Sequence, residues 1–179
     1  MRIISGIYKG RVLTGHDING TRPTMDRVRE SLFAMIQSKL TNSIVLDLFA
    51  GSGSLGFESL SNGSKHCYFN DINKKCVKVI EENANKLKCD DYTVLNKDYK
   101  KALIELTDIS IKFDIIFLDP PYGLHINSEI IKYIVENNLL KEKGIIVCEI
   151  DEYYLDDVTL SVYKRKKYGD KEIIIYEKN

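Results

Sequence analysis

The sequence predicts an α/β protein built on an open, mostly parallel sheet, with a C-terminal antiparallel hairpin and a short N-terminal β-arm and helix. Three observations carry this. Between about residues 43 and 148, short apolar runs alternate with stretches of helical periodicity, the pattern of a parallel sheet covered on both faces. A glycine-rich turn, Gly51-Ser52-Gly53-Ser54-Leu55-Gly56, follows the first of these runs. The last two apolar runs are joined by Tyr168-Gly169-Asp170-Lys171, a connection so short that it makes an antiparallel hairpin.

Taken in order, residues 1–13 read as a small β-hairpin or extended arm. Ile3, Ile4, Ile7, Val12 and Leu13 supply its apolar side chains, and Gly6 and Gly10 its bends. A polar loop around Asn19-Gly20 leads to Arg22-Pro23-Thr24 and a helix over about 25–40, where Val28, Leu32, Met35, Ile36 and Leu40 recur at helical spacing. Strands are expected at about 43–49, 66–71, 92–96, 113–118 and 145–148, with helices at about 54–62, 73–88, 99–107 and 127–139. The helix over 73–88 turns Cys76, Val79, Ile80, Asn83, Ala84 and Leu87 inward, and the one over 127–139 bears Ile130, Ile131, Ile134 and Val135. Strands at about 160–167 and 172–177 make the closing hairpin. The chain thus divides into an N-terminal arm and helix, residues 1–42, and a main domain, residues 43–179.

The run Ile44-Val45-Leu46-Asp47-Leu48-Phe49, the glycine turn and the helix after it read as a ligand site. The spacing G-x-G-x-x-G lets a ligand approach the backbone and places helix N–H groups in front of it. By itself the pattern is shared by many nucleotide sites, and by tight turns that bind nothing. Two acids narrow it. Asp47 lies four residues before Gly51, where a carboxylate would repel a pyrophosphate but suits an ammonium group. Asp71 lies 20 residues beyond Gly51, at the end of the second strand, where an acid accepts hydrogen bonds from ribose hydroxyls. An amino acid joined to a nucleoside fits both, and S-adenosylmethionine is such a molecule. The stretch resembles the cofactor site of class I SAM-dependent methyltransferases, whose Rossmann-like sheet also ends in an antiparallel hairpin. The candidate cofactor contacts are Asp47, Phe49, Gly51, Ser52, Gly53, Asp71, Ile72, Asp98 and Asp119. Asp98, ending the third strand, can accept the adenine amine or cap the helix from Tyr99 onward.

The fourth strand ends in Asp119-Pro120-Pro121-Tyr122, at the edge of the sheet where open α/β proteins bind ligands. This set suits methylation of an exocyclic base amine, whose lone pair is delocalised into the ring. One N–H would go to the Asp119 carboxylate and the other to the Pro120 carbonyl, favouring a pyramidal nitrogen. Consecutive prolines stiffen the loop that holds the carbonyl. Tyr122 offers a face on which an extruded base can stack. Amine methyltransferases acting on adenine, cytosine, guanine and glutamine use this tetrapeptide or close variants, so it indicates the reaction type and not the substrate.

Basic and acidic side chains number 26 each, so overall charge does not announce a polyanionic partner. The distribution does more: residues 1–45 hold seven basic and three acidic side chains, net +4, leaving −4 for the rest. Arg2, Lys9, Arg11, Arg22, Arg27 and Arg29 are the candidates for contacting phosphates, and a solvated charged face is the alternative. Three of these arginines crowd the start of the first helix, where positive charge is unfavourable in isolation. Cys67, Cys76, Cys89 and Cys148 form no C-x-x-C pair and the three histidines are scattered, so no metal site is expected. With no apolar run of membrane-spanning length and no signal-peptide pattern at Arg2-Ile3-Ile4-Ser5-Gly6, a reduced, cytoplasmic protein is expected. No surplus apolar surface is evident, and a monomer is expected.

With these residues in hand, the chain resembles the RsmD family, bacterial enzymes that methylate N2 of a guanine in 16S ribosomal RNA. The resemblance runs over nearly the whole length. It includes Arg2 to Gly6 with Gly10-Arg11, Arg22-Pro23-Thr24-Met25-Asp26-Arg27-Val28-Arg29-Glu30, Asp47 to Gly56, Asp119 to Tyr122 and Tyr168-Gly169-Asp170. The Arg-Pro-Thr…Asp-Arg-Val-Arg-Glu stretch is its most specific part. The resemblance implies S-adenosylmethionine as cofactor, 16S RNA of an assembling small subunit as partner, and an N-terminal arm whose arginines grip RNA phosphates. Ser5 stands where the family usually has a second glycine, and the chain stops soon after its last strand; neither departure touches the catalytic set. The competing readings are a DNA adenine or cytosine amine methyltransferase, for whose added recognition region there is no room, and a non-catalytic RNA-binding assembly factor.

Overall fold

The computed structural model describes residues 1–15, 22–121, 126–151, 160–169 and 171–179, with the backbone alone at 22–25, 150, 151 and 171. After the N-terminal arm, α1 (Arg22–Leu40) leads into β1 (Ile44–Asp47), α2 (Ser54–Ser61), β2 (His66–Asn70) and α3 (Lys74–Leu87). Then come β3 (Tyr92–Leu95), α4 (Tyr99–Asp108), β4 (Phe113–Leu118), α5 (Asn127–Glu136), β5 (Leu140–Asp151), β6 (Ser161–Tyr168) and β7 (Lys171–Glu177). The seven strands form one sheet in the order β3-β2-β1-β4-β5-β7-β6. The first five are parallel, and the β6–β7 hairpin inserts β7 antiparallel against β5. The expected fold is therefore present, with each expected strand and helix in place.

The period of two in the strands sorts side chains into two cores. Val45, Ile115, Phe117, Ile145 and Val147 face α1, α2 and α3, whereas Leu46, Leu48, Ile116, Leu118 and Ile146 face α4 and α5. On α1 it is Leu32, Phe33, Ile36 and Leu40 that are buried, with Val28 and Met35 packed at the margin. β5 starts five residues earlier than its apolar run suggests. Leu140 pairs with Phe113 and Ile145 with Ile115, so residues 141–144 loop out, with Lys143 at φ 60°. Among the described residues, no helix is long and apolar enough to cross a membrane.

The expected hairpin over residues 1–13 is looser than a hairpin. Its ends are joined by one antiparallel bridge, Arg2 to Val12. Ile3 and Leu13 enter the core under α1, but Ile7 and Val12 are exposed. The arm is held by polar contacts with α2. Glu58 is fully buried, and its carboxylate accepts the N–H groups of Ile4 at 2.9 Å and Ser5 at 2.9 Å and the Ser5 hydroxyl at 3.0 Å. Ser61 accepts the Tyr8 N–H and donates to the Ser5 carbonyl. Apolar area in a thirteen-residue arm is small, so these bonds decide where it lies.

Replacing Glu58 by alanine leaves two part-buried N–H groups without their acceptor and removes the carboxylate 3.9 Å from the buried Arg29 guanidinium. We expect Glu58→Ala to cost about 3 kcal/mol. That corresponds to a melting temperature lower by roughly 6–12 °C. Glu58→Gln, which keeps one acceptor oxygen, should cost less. Thermal melts, with limited proteolysis of the arm, check both.

Candidate active site

The strand order steps from β1 out to β2 and β3, then returns across β1 to β4 and β5. Such a reversal opens a crevice beyond the carboxyl ends of β1 and β4. Asp47 ends β1 and pairs in register with Phe117, two residues before Asp119. The crevice therefore brings together Asp47 and Asp119, two of the carboxylates that the sequence singled out. Asp119 is exposed at the mouth, with Pro120 half-buried and Pro121 exposed beside it. Tyr122 lies outside the described residues.

Asp47 is 3% exposed. One of its oxygens accepts the Gly56 N–H at 3.2 Å. Burial pushes its carboxyl up to about 7; the Gly56 hydrogen bond opposes the shift, and the Asp119 and Asp71 charges add to it. Among the described residues no cation is paired with it. A desolvated carboxylate in this position fits an ammonium ligand, which would replace the lost hydration by an ion pair.

The glycine turn is shaped for close approach. Gly51 has φ 55°, and the side from which a Cβ would project is open. Gly56 serves packing instead: a Cβ there would come within 2.1 Å of the Phe69 ring and 2.6 Å of the Cys67 sulfur. Its role is to let α2 lie on β2. The turn is fixed from the second strand, because Asp71 accepts the Gly51 N–H at 2.8 Å and the Asn73 N–H at 2.8 Å. A carboxylate has about four acceptor sites, so capacity remains for ribose hydroxyls. Ile72 is exposed just beyond it, and Phe49 is half-buried with its ring 5.8 Å from that of Tyr99. Asp98 caps α4 by accepting the Lys100 N–H at 3.0 Å. The cap is thus observed, and the remaining oxygen stands at the strand end.

Two asparagines that the sequence did not single out as site residues hold this region. Asn70 donates to the carbonyls of Leu48 and Lys97, both at 3.1 Å, and ties together the ends of β1, β2 and β3. Asn83 accepts the Thr14 N–H at 2.7 Å and donates to the Thr14 carbonyl at 2.8 Å and to the Ser52 carbonyl at 3.1 Å. It thereby fastens the end of the N-terminal arm to the glycine turn. Asn83 sits on the inward face of α3, and a buried amide on an apolar face is the signal that could have identified it.

The basic candidates separate. Arg2, Lys9, Arg11 and Arg27 are exposed. The side chain of Arg22 lies outside the described residues. Arg29 corrects the expectation that it meets RNA. It is 7% exposed, donates to the Arg2 carbonyl and to Asp26, and lies 3.9 Å from the Glu58 carboxylate. Helical spacing turns it onto the buried side of α1, where it bridges helix, arm and α2.

The family model described as Conserved hypothetical protein 95 matches residues 1–177. The chain is 38% identical over 182 residues to the protein YlbH of Bacillus subtilis strain 168, covering 99% of each. It is 37% identical over 154 residues to the Ribosomal RNA small subunit methyltransferase D of Haemophilus influenzae, covering 85% of this chain and 79% of that one. The solved structure of yhhF from Escherichia coli superposes with a TM-score of 0.87 at 27% identity, covering 100% of this chain and 98% of that one. The chain belongs to the Conserved hypothetical protein 95 family, the RsmD family of ribosomal RNA small subunit methyltransferases D.

Proposed function

We propose that this chain methylates the exocyclic N2 amine of a guanine in 16S ribosomal RNA of the small subunit, with S-adenosylmethionine as methyl donor. The observation that carries the reading is the placement of Asp47 and Asp119 at the ends of adjacent parallel strands, one buried and one at the mouth of the same crevice. S-adenosylmethionine supplies an electrophilic methyl group on a sulfonium, which departs as a neutral thioether when the amine takes the methyl.

The chain's own residues do the positioning. Asp47 holds the ammonium, Asp71 the ribose hydroxyls, and Asp98 with Ile72 and Phe49 the adenine. Gly51, Ser52 and Gly53 line the approach. Asp119 accepts one N–H of the guanine amine and the Pro120 carbonyl the other, so that the nitrogen lone pair is aimed along the transfer axis. Pro121 stiffens the loop, and Tyr122 takes the base-stacking role by its place in the motif. The gain comes chiefly from orientation. After transfer the methylated nitrogen is cationic, and it loses its proton to Asp119 or to water. The exposed Arg2, Lys9, Arg11 and Arg27, with Arg22, contact RNA phosphates.

The deciding experiment is methyl transfer from labelled S-adenosylmethionine to small subunits from cells lacking the endogenous enzyme, with naked 16S RNA and duplex DNA in parallel. N2-methylguanosine in the subunit or 16S samples, identified by nucleoside mass spectrometry, is the expected product. Methylated adenine or cytosine in the duplex alone would replace this reading with the DNA alternative.

Two further outcomes follow from the carboxylates. Asp119→Ala should lower turnover by at least about a hundredfold while changing S-adenosylmethionine affinity only slightly, read by single-turnover assay and calorimetry. Asp47 must be ionised to hold an ammonium, and its carboxyl titrates at about 7. Affinity should therefore fall up to tenfold per pH unit below about 7. An α-amino group stays charged in that range, so Asp47 sets the slope. Because the folded-state value lies above the ordinary one, Asp47 favours folding at low pH, and that contribution is lost as pH rises through about 7. Asp47→Asn should weaken cofactor binding at least about tenfold, flatten its pH dependence, and melt above the parent at pH 8.

A further inference from the structure

We infer that the seam between α1 and the edge strand β6 carries the phosphate backbone of the RNA substrate, with the ammonium groups of Lys164 and Lys166 as its preset cations. This deepens the proposed function and rests on it.

β6 reads Ser161-Val162-Tyr163-Lys164-Arg165-Lys166-Lys167-Tyr168: four consecutive cations and no acid. The pleat sorts them. Beyond an irregularity between Val162 and Lys164, Lys164 lies opposite Ile175 and Lys166 opposite Ile173, both on the face that packs against α1. Arg165 and Lys167 lie opposite Ile174 and Glu172, on the other face. There Arg165 holds Glu172 in a two-pronged ion pair at 2.7 and 2.9 Å, which offsets its charge.

The α1 face differs. Lys164 donates to the Met35 carbonyl at 2.6 Å and Lys166 to the Ser31 hydroxyl at 2.8 Å. Their ammonium groups stand 4.9 Å and 5.4 Å from the ring centroids of Tyr163 and Tyr168. All four of these partners are neutral, so they order the lysines without neutralising them. Lysines that only guard a sheet edge against pairing need no fixed position. Of the acids on α1, Asp26 is engaged by Arg29, and Glu30 is exposed beside Ser31. Lys39, farther down the seam, is paired with Glu177. Among the described residues no acid is paired with Lys164 or Lys166, so their charge gathers at the upper end.

That end is the one that matters. β6 runs antiparallel to β7, which runs antiparallel to β5, so β6 points the same way as β4. The contacts climb from Lys164 at Met35 to Lys166 at Ser31, and the exposed Arg27 lies one further turn up α1, about 5.4 Å on. The row rises toward the edge of the sheet where Asp119 stands, three strand spacings or roughly 14 Å across. An RNA strand following it would reach the acceptor crevice. The charge split along the sequence points to residues 1–45 as a candidate polyanion-facing segment; the fold adds β6 to it.

The test is binding of small subunits, or of 16S RNA, across a salt series. For Lys164→Gln/Lys166→Gln, the dissociation constant should rise about tenfold and the slope of log K against log salt should fall by about 1 to 2. Melting temperature and S-adenosylmethionine affinity should match the parent. Lys166→Gln alone, which removes no backbone contact, should give about half the loss, and Lys166→Arg should restore it. Lys167→Gln, on the opposite face, should move the slope less than half as far as Lys166→Gln. An unchanged slope in the first variant, or an equal change in Lys167→Gln, overturns the seam. If the parent protein binds S-adenosylmethionine but methylates neither subunits nor 16S RNA, it is the rRNA reading that falls.

Discussion

A carboxylate stripped of water at the centre of the sheet sets the terms for this molecule. Asp47 ends the strand from which the chain winds outward in both directions, and it is buried against one backbone N–H. Such a group is costly in the ionised form, and its upward shift expresses that cost. An ammonium ligand would recover that cost. The surrounding fold keeps the group in place: Gly56 lets α2 close over β2, and Asn70 ties three strand ends into one rim.

The acids around the crevice divide labour by depth. Asp47 is the buried one, suited to a cation. Asp71 and Asp98 stand at strand ends, where Asp71 uses both oxygens and Asp98 one on local backbone N–H groups, and so each shapes its turn before any ligand arrives. Asp119 is exposed, on a loop stiffened by two prolines, where it would meet the proposed acceptor. A binding carboxylate profits from burial because its partner is charged; an acceptor carboxylate profits from access because its partner must come and go.

The N-terminal segment belongs to the same body. Its apolar contribution is modest, Ile3 and Leu13, and its position is dictated by Glu58, Arg29 and Ser61. Asn83 then carries the arm's end to the glycine turn. An RNA contact on the arm and a cofactor in the crevice would therefore act on adjoining backbone. A buried polar network here replaces the apolar staple that a short arm cannot provide.

The order of strands and helices and the terminal hairpin were legible in the sequence, because each rests on local periodicity or on the length of a connection. So was the position of Asp47, Asp71 and Asp119 at strand ends. Only the tertiary structure decided which cations face out. Arg27 and Arg29 are two residues apart and read alike, yet one is exposed and the other is locked between Glu58 and Asp26. Likewise Lys164 and Lys166 become a seam only because α1 lies under them, more than a hundred residues earlier in the chain. Periodicity assigns a side chain to a face; what that face meets is set by long-range packing, which no local pattern encodes.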